Sequence, residues 1–373
     1  MNRLSNKTIL MTADTVGGVW TYAAGLASAL VESGVHVCLL TMGPRPRAHQ
    51  RAMLSGTAVQ VIESDLALEW QDAEGNDIPR AREFLSEVER RVRPDLVHLN
   101  SYREATFGWN APVVVVAHSC VNSWGLACND NTFRSEQRWQ SYSRLVADGL
   151  DHAEVWVSPT QAFGQTVRRL YRTRTEAIVI RNGAVMADKA QQPKSDLILA
   201  AGRMWDAAKN LAVLAEAAKD LDWPVFVAGT AAKSAGKLAG GIELLGELSH
   251  AELGGRMQRA AIFVSPAQYE PFGLSVLEAA GKGCALVLSD IPTFRELWDG
   301  AALFAAPNDV VGLRANLVEL RGDPGKRLRL QRAALARARR YSMRSMADGY
   351  MRLYQSLLWR ASPANRGLSE VHA

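Results

Sequence analysis

Short, unbroken apolar runs alternate along this chain with longer amphipathic segments, and the alternation occurs in two successive blocks. Continuous runs of Val, Leu and Ile are typical of strands buried on both faces, as in a parallel sheet. Such strands alternating with helices predict a doubly wound α/β domain. Two blocks therefore predict an α/β protein with two Rossmann-like, doubly wound parallel-sheet domains. Open sheets of this type bind ligands at the carboxyl ends of their strands, so we expect the site in a cleft between the two domains.

The first block predicts an amino-terminal Rossmann-like domain over residues 1–182. Its predicted strands are Thr8–Thr12, Val35–Thr41, Val59–Ile62, Leu96–Leu99 and Val113–Ala117. Its clearest helical patterns are Trp20–Ser33 and Ala81–Arg93.

The second block follows Gly183–Ser195, a polar segment with the composition of a linker, and predicts a second domain over residues 183–340. Its predicted strands are Leu197–Ala201, Val225–Ala228, Glu243–Leu245, Ile262–Ser265 and Leu286–Ser289. Its predicted helices are Asn210–Leu221, His250–Arg259, Gly273–Lys282 and Arg327–Arg340. A last helix, Met343–Arg360, belongs to the remaining segment 341–373.

Composition favours a soluble globular protein, with 48% hydrophobic and 22% charged residues. The early apolar run Thr8–Thr12 is too short for a signal peptide, and no apolar stretch approaches the roughly 18 residues that a membrane helix needs. Four cysteines without a CxxC pair indicate neither a zinc site nor a disulfide framework. We therefore expect a cytoplasmic protein with reduced thiols.

The segment from Glu270 to Glu278 carries the strongest chemical pattern, with two glutamates separated by seven residues and Gly273 opening a predicted helix. The first turn of that helix would offer N–H groups of Phe272, Gly273 and Leu274 to an anion such as a diphosphate. Glu278, two turns along the helix, could accept hydrogen bonds from a hydroxyl pair such as that of a ribose. Glu270 could face a sugar. A helix cap with an incidental carboxylate is the structural alternative.

Two further cations follow the predicted strand Leu197–Ala201, namely Arg203 and Lys209. Arginine offers a bidentate fork and lysine a point charge, a combination that suits a diphosphate. An exposed basic pair on a loop is the alternative.

Two features of the first block complete the pattern. Gly17 and Gly18 follow the first predicted strand and would let the backbone approach a ligand before a helix begins. His118 follows the strand Val113–Ala117, at the edge where ligands bind, although a lone histidine there is often structural.

Taken together, the Glu270–Glu278 segment, Arg203 and Lys209 resemble glycosyltransferase family four, whose members have the GT-B fold. The resemblance covers nearly the whole chain and is more specific in the second block. It implies that Glu270 contacts the donor sugar, Glu278 the nucleotide ribose, and Arg203 with Lys209 the donor diphosphate. It also implies a glycine loop at Gly17 and Gly18 that faces the donor phosphate, and a last helix that crosses back to the amino-terminal, acceptor-binding domain.

The resemblance further implies that His118 touches the donor sugar or a hydroxyl in the transition state. The residues expected to act in catalysis are thus His118, Glu270, Arg203 and Lys209. Asn122 and Trp124, on the loop after His118, are expected to contribute to an acceptor wall, with ordinary packing as the alternative for Trp124.

The activity implied is retaining transfer of a hexose from a nucleoside-diphosphate sugar, with UDP or GDP as the nucleotide, to a hydroxyl of a saccharide or lipid-linked acceptor. No metal and no other cofactor is expected, because Arg203, Lys209 and a helix start would meet the charge of the diphosphate. The only Asp-x-Asp pair, Asp220 and Asp222, sits at a predicted helix end and is expected to be solvated. A nucleotide-sugar epimerase of the same fold and a catalytically silent binding module remain as alternatives.

Charge is concentrated at the carboxyl-terminal end, where residues 321–373 contain twelve Lys and Arg but only three Asp and Glu. Such a segment could contact an anionic membrane surface peripherally, or it could form a solvated face of the terminal helices. No aromatic interleaving or binding motif supports a nucleic-acid partner.

Overall fold

The computed structural model describes residues 4–186, 193–230 and 241–361. Within these ranges the chain divides into two compact units. Unit 1 comprises residues 4–126, 130–181 and 343–361, and unit 2 comprises residues 127–129, 182–186, 193–230 and 241–342. Part of the predicted linker, residues 187–192, lies outside the described residues, and Ser195 already belongs to a strand.

Both units are built from parallel strands and the helices that connect them. The strands of the described residues are β1 (Thr8–Asp14), β2 (His36–Met42), β3 (Gln60–Ile62), β4 (Leu96–Leu99), β5 (Val113–Val116), β6 (Val155–Ser158), β7 (Ile178–Val179), β8 (Ser195–Ala201), β9 (Val225–Ala228), β10 (Ile242–Gly246), β11 (Ala260–Ser265), β12 (Ala285–Ser289) and β13 (Ala302–Ala305). The helices are α1 (Gly18–Glu32), α2 (Ala48–Ala52), α3 (Ile78–Val92), α4 (Val121–Ala127), α5 (Thr132–Ser135), α6 (Gln137–His152), α7 (Gln161–Tyr171), α8 (Leu211–Ala217), α9 (His250–Arg259), α10 (Leu274–Gly281), α11 (Pro292–Trp298), α12 (Val310–Gly322), α13 (Pro324–Ala338) and α14 (Met343–Ala361).

In unit 1 the described strands form a seven-stranded parallel sheet in the order β3-β2-β1-β4-β5-β6-β7. The central strands are buried along almost their whole length, as the continuous apolar runs predict. The neighbours β1, β4 and β5 end at one edge of the sheet, so the residues that follow them lie close together. This edge carries Gly17, Asn100 and His118.

Helix α14 also packs in unit 1, although it lies at the far end of the sequence. It contacts α1, and the hydroxyl of Tyr354 lies 2.5 Å from Nδ1 of His98 on β4. Tyr350 and Tyr354, one helical turn apart, are both fully buried. The helix is therefore part of the core of unit 1, where it contacts a histidine of an interior strand of the sheet.

In unit 2 the sheet within the described ranges has six parallel strands in the order β10-β9-β8-β11-β12-β13. Strands β8 and β11 are direct neighbours, so the loops after them leave the sheet side by side. Side chains define several helix starts: Ser249 and Glu252 form a capping box at α9, and Asp323 caps α13 just before Pro324. The loops after β8 and β11 carry the cations and the first glutamate of the predicted site.

Candidate functional site

The loop between β8 and α8 is held in place by backbone and side-chain hydrogen bonds. Asp206 accepts a hydrogen bond from the N–H of Ala208 (2.9 Å) and opens a single 3₁₀ turn that ends at Lys209. Asn210 has a left-handed backbone conformation (φ 57°), and its side-chain amide donates to the carbonyl of Pro266 (3.0 Å). The N–H of Gln268 donates back to the carbonyl of Ala208 (2.8 Å). These contacts fix the loop carrying Lys209 against the loop that follows β11.

Lys209 and Glu270 meet directly at this junction. The ammonium group of Lys209 donates to Oε2 of Glu270 at 2.6 Å, and each side chain is less than one-fifth exposed. The hydroxyl of Thr293 donates to the backbone carbonyl of Glu270 (2.6 Å), which holds the start of the motif from the other side. Charged groups that are partly withdrawn from water interact more strongly than exposed ones. Two residues from separate sequence motifs therefore form one ordered charged pair.

Arg203 is placed differently from Lys209. Its side chain is 42% exposed, its Nη2 lies 3.4 Å from Oδ2 of Asp206, and its guanidinium lies 5.6 Å from the ring centre of Trp205. The structure thus brings Lys209 and Glu270 together but pairs Arg203 with a residue of its own loop. The planar guanidinium group of Arg203 lies on the same loop as Lys209 and is accessible to an anion from solution.

Two glycines next to this loop bring backbones unusually close. The N–H of Gly202 donates to the carbonyl of Ala228 (3.0 Å), and the N–H of Gly229 donates to the carbonyl of Gly246 (2.7 Å). Gly229 has a φ of 126°, and a Cβ added to it would lie 1.8 Å from the carbonyl oxygen of Gly202. Only glycine satisfies this backbone conformation and this approach.

The helix after Glu270 begins one residue later than the sequence pattern predicts. Gly273 precedes α10 with a left-handed backbone (φ 87°, ψ 67°), and the helix runs from Leu274. The first hydrogen bond of the helix joins the N–H of Leu277 to the carbonyl of Gly273 (3.0 Å). The first-turn N–H groups are thus those of Leu274, Ser275 and Val276. Assigning Phe272 and Gly273 to that turn was wrong, because the left-handed residue before the helix interrupts it.

The side chain of Phe272 has a structural role. It is buried in the core of unit 2 and packs edge-on to Tyr341, with ring centres 6.2 Å apart. Any ligand contact by Phe272 would therefore have to use its backbone.

Glu278 lies on α10 and is mostly withdrawn from water. Burial raises the pKa of its carboxyl group, while the nearby His250 and Lys282 act in the opposite direction. The Nδ1 atom of His250, at the start of α9, lies 3.9 Å from Oε1 of Glu278. His250 was not predicted as a site residue; its position directly after the capping serine of a helix was the available signal.

In unit 1 the predicted glycine loop lies between β1 and α1. Gly17 has φ 85° and ψ −148°, a backbone region that is essentially restricted to glycine, and α1 begins at Gly18. The carboxylate of Asp14 accepts from the N–H of Val16 (2.5 Å), and the side-chain amide of Gln50 donates to the carbonyl of Thr15 (2.8 Å). The loop is thus ordered by its own contacts.

His118 takes part in a polar cluster that the sequence did not reveal. The amide nitrogen of Asn100 donates to the carbonyl of Thr12 (2.5 Å), which turns the amide oxygen of Asn100 toward His118. Since this oxygen can only accept, Nε2 of His118 is the donor in the contact between them (2.7 Å). The ring of Tyr22 packs edge-on to that of His118 at 4.5 Å. Burial, with a smaller contribution from His98, lowers the pKa of His118 to about 3. At neutral pH the imidazole is uncharged, with its proton on Nε2.

The same cluster continues through His98 to the last helix. Nε2 of His98 lies 3.3 Å from Oδ1 of Asn100, and its Nδ1 contacts the Tyr354 hydroxyl at 2.5 Å. Burial lowers the pKa of His98 to about 3 as well. A histidine inside the apolar strand Leu96–Leu99 and two tyrosines spaced four residues apart were the signals that could have identified this cluster.

Asn122 and Trp124 lie on helix α4, whereas the sequence placed them on a loop. The side-chain amide of Asn122 donates to the hydroxyl of Ser143 (2.6 Å), and Trp124 packs edge-on against Phe133 at 5.4 Å. A helix forms here although Asn122, Ser123 and Gly125 are turn residues, and its first turn is closed by a hydrogen bond from the N–H of Trp124 to the carbonyl of Cys120 (3.1 Å). The packing of Trp124 on a neighbouring aromatic ring matches the structural alternative, and its role as an acceptor wall stays a prediction.

Within residues 4–186, 193–230 and 241–361, no group of three or more His, Cys, Asp or Glu side chains could hold a metal ion. Asp222, one member of the Asp-x-Asp pair, forms an ion pair with Arg321 instead. Over the same part of the chain, no helix combines the length and the apolar character required to cross a membrane.

Comparison with known proteins places both halves of the chain among sugar transferases. The model of Glycosyltransferase Family 4 matches residues 16–186, and that of Glycosyl transferases group 1 matches residues 195–323. Glycogen synthase from Mycobacterium tuberculosis is 26% identical, over 86% of each chain. Phosphatidyl-myo-inositol mannosyltransferase from Mycolicibacterium smegmatis is 30% identical, over 49% of this chain and 53% of its own length.

Solved structures resemble the fold over almost the whole chain. Sucrose-phosphate synthase from Thermosynechococcus elongatus superposes with a TM-score of 0.78 and 18% identity, covering 96% of this chain and 100% of that one. Anabaena HepE in complex with UDP-glucose gives a TM-score of 0.72 and 15% identity, covering 94% and 99%. The predicted architecture of two parallel-sheet α/β domains, the GT-B fold, is confirmed.

Proposed function

The chain belongs to glycosyltransferase family four, and we propose that it transfers a hexose, with retention of configuration, from a nucleoside-diphosphate sugar to a hydroxyl of a saccharide or lipid-linked acceptor. The observation that carries this proposal is the contact between Lys209 and Glu270. It joins the proposed diphosphate loop to the proposed sugar-facing glutamate at the carboxyl ends of two neighbouring strands, where open α/β sheets bind ligands.

The donor in this proposal lies along the edge of the unit 2 sheet. Arg203 and Lys209 bind its diphosphate, assisted by the N–H groups at the start of α10. Glu278 accepts hydrogen bonds from the ribose hydroxyls. The backbones of Gly202 and Gly229 pack against each other with no room for a side chain, which fixes the ends of β8 and β9 beside the proposed donor. Gly17 and Gly18 of unit 1 are proposed to face the donor phosphate.

Preorganised charge supplies the main catalytic effect in this proposal. Negative charge grows on the leaving diphosphate as the glycosidic bond breaks, and fixed cations stabilise that charge more than they stabilise the bound donor. The leaving phosphate itself takes the proton of the acceptor hydroxyl. The acceptor therefore attacks the face of the sugar from which the phosphate departs, and the configuration at that carbon is retained. Glu270 orients the donor sugar, and Lys209 holds the side chain of Glu270 in place.

His118 can act only as an uncharged group in this scheme. Its Nε2 proton is already donated to Asn100, and its pKa of about 3 leaves Nδ1 unprotonated at neutral pH. We therefore propose that Nδ1 accepts a hydrogen bond from a sugar hydroxyl and that His118 does not serve as a general acid.

The names of similar proteins support two classes of donor. Anabaena HepE was solved with UDP-glucose, and a similar protein from Komagataeibacter xylinus is named for GDP-mannose; the latter is 34% identical, over 31% of this chain. We propose a UDP- or GDP-hexose, with catalysis independent of a divalent metal and of any other cofactor.

The test of this proposal is donor binding followed by thermal unfolding. Wild-type protein is heated with UDP-glucose, GDP-mannose and ADP-glucose, and a ligand at 100 times its Kd should add about 2.7 kcal/mol of stability. The matched variants are Lys209→Ala and Lys219→Ala; Lys219 is exposed and paired with Glu216. Stabilisation by one donor that is lost only in Lys209→Ala supports the proposal. No stabilisation of wild-type protein by any of the three would contradict it.

Peripheral membrane contact through the basic carboxyl-terminal region is a further part of the proposal. Residues 362–373 of that region lie outside the described residues. Some of its cations hold the fold, since Arg337 donates to the carbonyl of Leu297 (2.8 Å) and Lys326 pairs with Glu319. Cosedimentation with vesicles containing anionic lipid, compared with neutral vesicles at the same ionic strength, tests whether the remaining cations bind a membrane.

A further inference from the structure

One side-chain oxygen in unit 1 is shared by two imidazole rings. Oδ1 of Asn100 lies 2.7 Å from Nε2 of His118 and 3.3 Å from Nε2 of His98. An amide oxygen only accepts hydrogen bonds and has two lone pairs, so both imidazoles carry their proton on Nε2 and donate it to Asn100. A single residue therefore sets the tautomers of both histidines.

The orientation of that amide is fixed from the neighbouring strand β1. The side-chain nitrogen of Asn100 donates to the backbone carbonyl of Thr12 (2.5 Å), and its backbone N–H donates to the hydroxyl oxygen of Thr12 (2.9 Å). An amide rotated by half a turn would place its oxygen against the Thr12 carbonyl oxygen and its N–H groups against the two imidazoles. The rotated form loses hydrogen bonds on both sides, so Oδ1 faces the two rings.

The last helix, α14, takes part in the same arrangement through Tyr354. The hydroxyl of Tyr354 lies 2.5 Å from Nδ1 of His98. Since Nε2 of His98 carries the proton, Nδ1 accepts this hydrogen bond and Tyr354 donates it. The bond reinforces the tautomer of His98 that donates to Asn100. A chain of hydrogen bonds thus runs from α14 through His98 and Asn100 to His118.

The other nitrogen of His118 is the one that a ligand can use. Nδ1 makes no hydrogen bond within the described part of the chain, and His118 is partly exposed. The edge-on contact with Tyr22, at 4.5 Å, restricts rotation of the imidazole from another side. The ring therefore has one orientation and one tautomer before a ligand arrives, which lowers the cost of binding that ligand in a reactive geometry.

We propose that Asn100 is a positioning residue for the transfer reaction, and that His98 and Tyr354 support it from the last helix. Asn100 acts through His118: it holds the imidazole so that the Nδ1 lone pair accepts a hydrogen bond from a hydroxyl of the donor sugar. This inference rests on the proposed transferase function, in which His118 works through Nδ1. It adds that this histidine depends on a helix at the far end of the sequence.

Kinetics of combined variants test whether Asn100 acts through His118. The kcat is measured as release of nucleoside diphosphate, with water as acceptor, from whichever of UDP-glucose and GDP-mannose stabilises the wild-type protein. Asn100→Ala should lower kcat about tenfold or more, because a loosened imidazole is misplaced. In a His118→Ala background the same substitution should have no further effect. An equal loss in both backgrounds would show that Asn100 acts independently of His118 and would overturn the proposal.

The titratable groups around His118 in the described structure are themselves uncharged at neutral pH. His98 lies on β4 and has a pKa of about 3, and Tyr22 lies on α1. Tyr350 and Tyr354 of α14 lie behind them, and burial raises the pKa of all three tyrosines. A charge introduced at position 100 would therefore be the main new electrostatic influence on His118.

Asn100→Asp introduces that charge while it keeps an accepting oxygen beside His118. A nearby opposite charge raises a pKa by about 1–3 pH units, so the pKa of His118 should rise from about 3 to roughly 4–6. Protonated His118 has no lone pair on Nδ1, and kcat should therefore fall as the pH drops through this value. The acid limb of the kcat profile should lie at least one pH unit above that of the wild type. Identical profiles would contradict the proposal, since a merely structural asparagine would not move the limb.

Nitrogen-15 NMR of labelled histidines gives a readout that depends on neither activity nor the folding of a variant. In the wild type, the resonances that His118→Ala removes should show a protonated Nε2 and an unprotonated Nδ1. Tyr354→Phe should release the fixed tautomer of His98 and lower kcat about threefold, as expected for one lost hydrogen bond. Tyr350→Phe, one turn away, removes a hydroxyl without a hydrogen bond to the described residues and is the matched control. A proton on Nδ1 of His118 in the wild type would overturn the proposal.

The outcomes also distinguish this inference from the function on which it rests. If no donor shifts the melting temperature, the transferase proposal fails whatever the tautomer of His118. If a donor does so while Asn100→Asp leaves the pH profile unchanged and Tyr354→Phe leaves the tautomer of His98 unchanged, only the positioning role is wrong.

Discussion

Acidification should destabilise unit 1 through His98, which is fully buried and contacts Tyr354. Its pKa in the folded protein is about 3, compared with an ordinary value of 6.5, so between these values the unfolded chain binds a proton that the folded chain does not. The free energy of unfolding is therefore fully retained above pH 6.5 and falls as the pH drops toward 3. At pH 5 the loss amounts to about 2 kcal/mol, since each pKa unit corresponds to about 1.36 kcal/mol.

The assay is denaturant unfolding at pH 7.5 and pH 5. The midpoint of the unfolding transition is determined for each unit, because the units of a two-domain protein can unfold in separate transitions. His98→Gln removes the titrating group, and it should be less stable than wild type at pH 7.5 because the contact with Tyr354 is altered. Its loss of stability on acidification should nevertheless be about 2 kcal/mol smaller. His152→Gln, on the surface helix α6, is the matched control. An equal pH dependence in wild type and His98→Gln would refute the reasoning.

Three further predictions concern the proposed donor site. Glu278→Ala should raise the KM for the donor with kcat nearly unchanged, because a ribose is bound equally in the ground and transition states; a normal KM with a collapsed kcat would exclude that role. Gly229→Ala should destabilise unit 2 by more than about 2 kcal/mol, since its Cβ would lie 1.8 Å from the Gly202 carbonyl oxygen. Gly254→Ala is the control in the same calorimetric measurement, and it should be neutral or stabilising because open space surrounds this helical position. Transfer activity should be unchanged in EDTA, and restoration of a lost activity only by magnesium or manganese would count against metal independence.

The continuous apolar runs were sufficient to predict the two sheets, although not all of their strands. Leu96–Leu99 and Val225–Ala228 have the predicted bounds because each is an isolated β-branched or leucine-rich run. Strand β13 was missed because Ala302–Ala305 contains no β-branched residue, and β7 because two residues give no pattern. Such strands form because a neighbouring strand supplies their hydrogen bonds, which is information outside the segment itself.

The candidate site divides in the same way. Residues on short, glycine-marked loops after strands, such as Lys209 and Glu270, could be predicted because strand ends meet at one sheet edge. The cluster of His98, Asn100 and Tyr354 could not, because it joins residues more than 250 positions apart through the packing of the last helix.

The central claim is that Arg203 and Lys209 hold the donor diphosphate, and steady-state kinetics of variants at these two positions test it most directly. Using the donor that stabilises the wild-type protein, Arg203→Ala and Lys209→Ala should each lower kcat by about 100-fold or more, as expected for preorganised electrostatic groups. The double variant should be less impaired than the product of the two single effects, because both residues act on one group. Arg203→Lys should recover little activity, since a point charge does not replace a bidentate fork. Near-wild-type kcat in both single alanine variants, with Lys219→Ala as the matched control, would contradict the claim and remove the diphosphate from this loop.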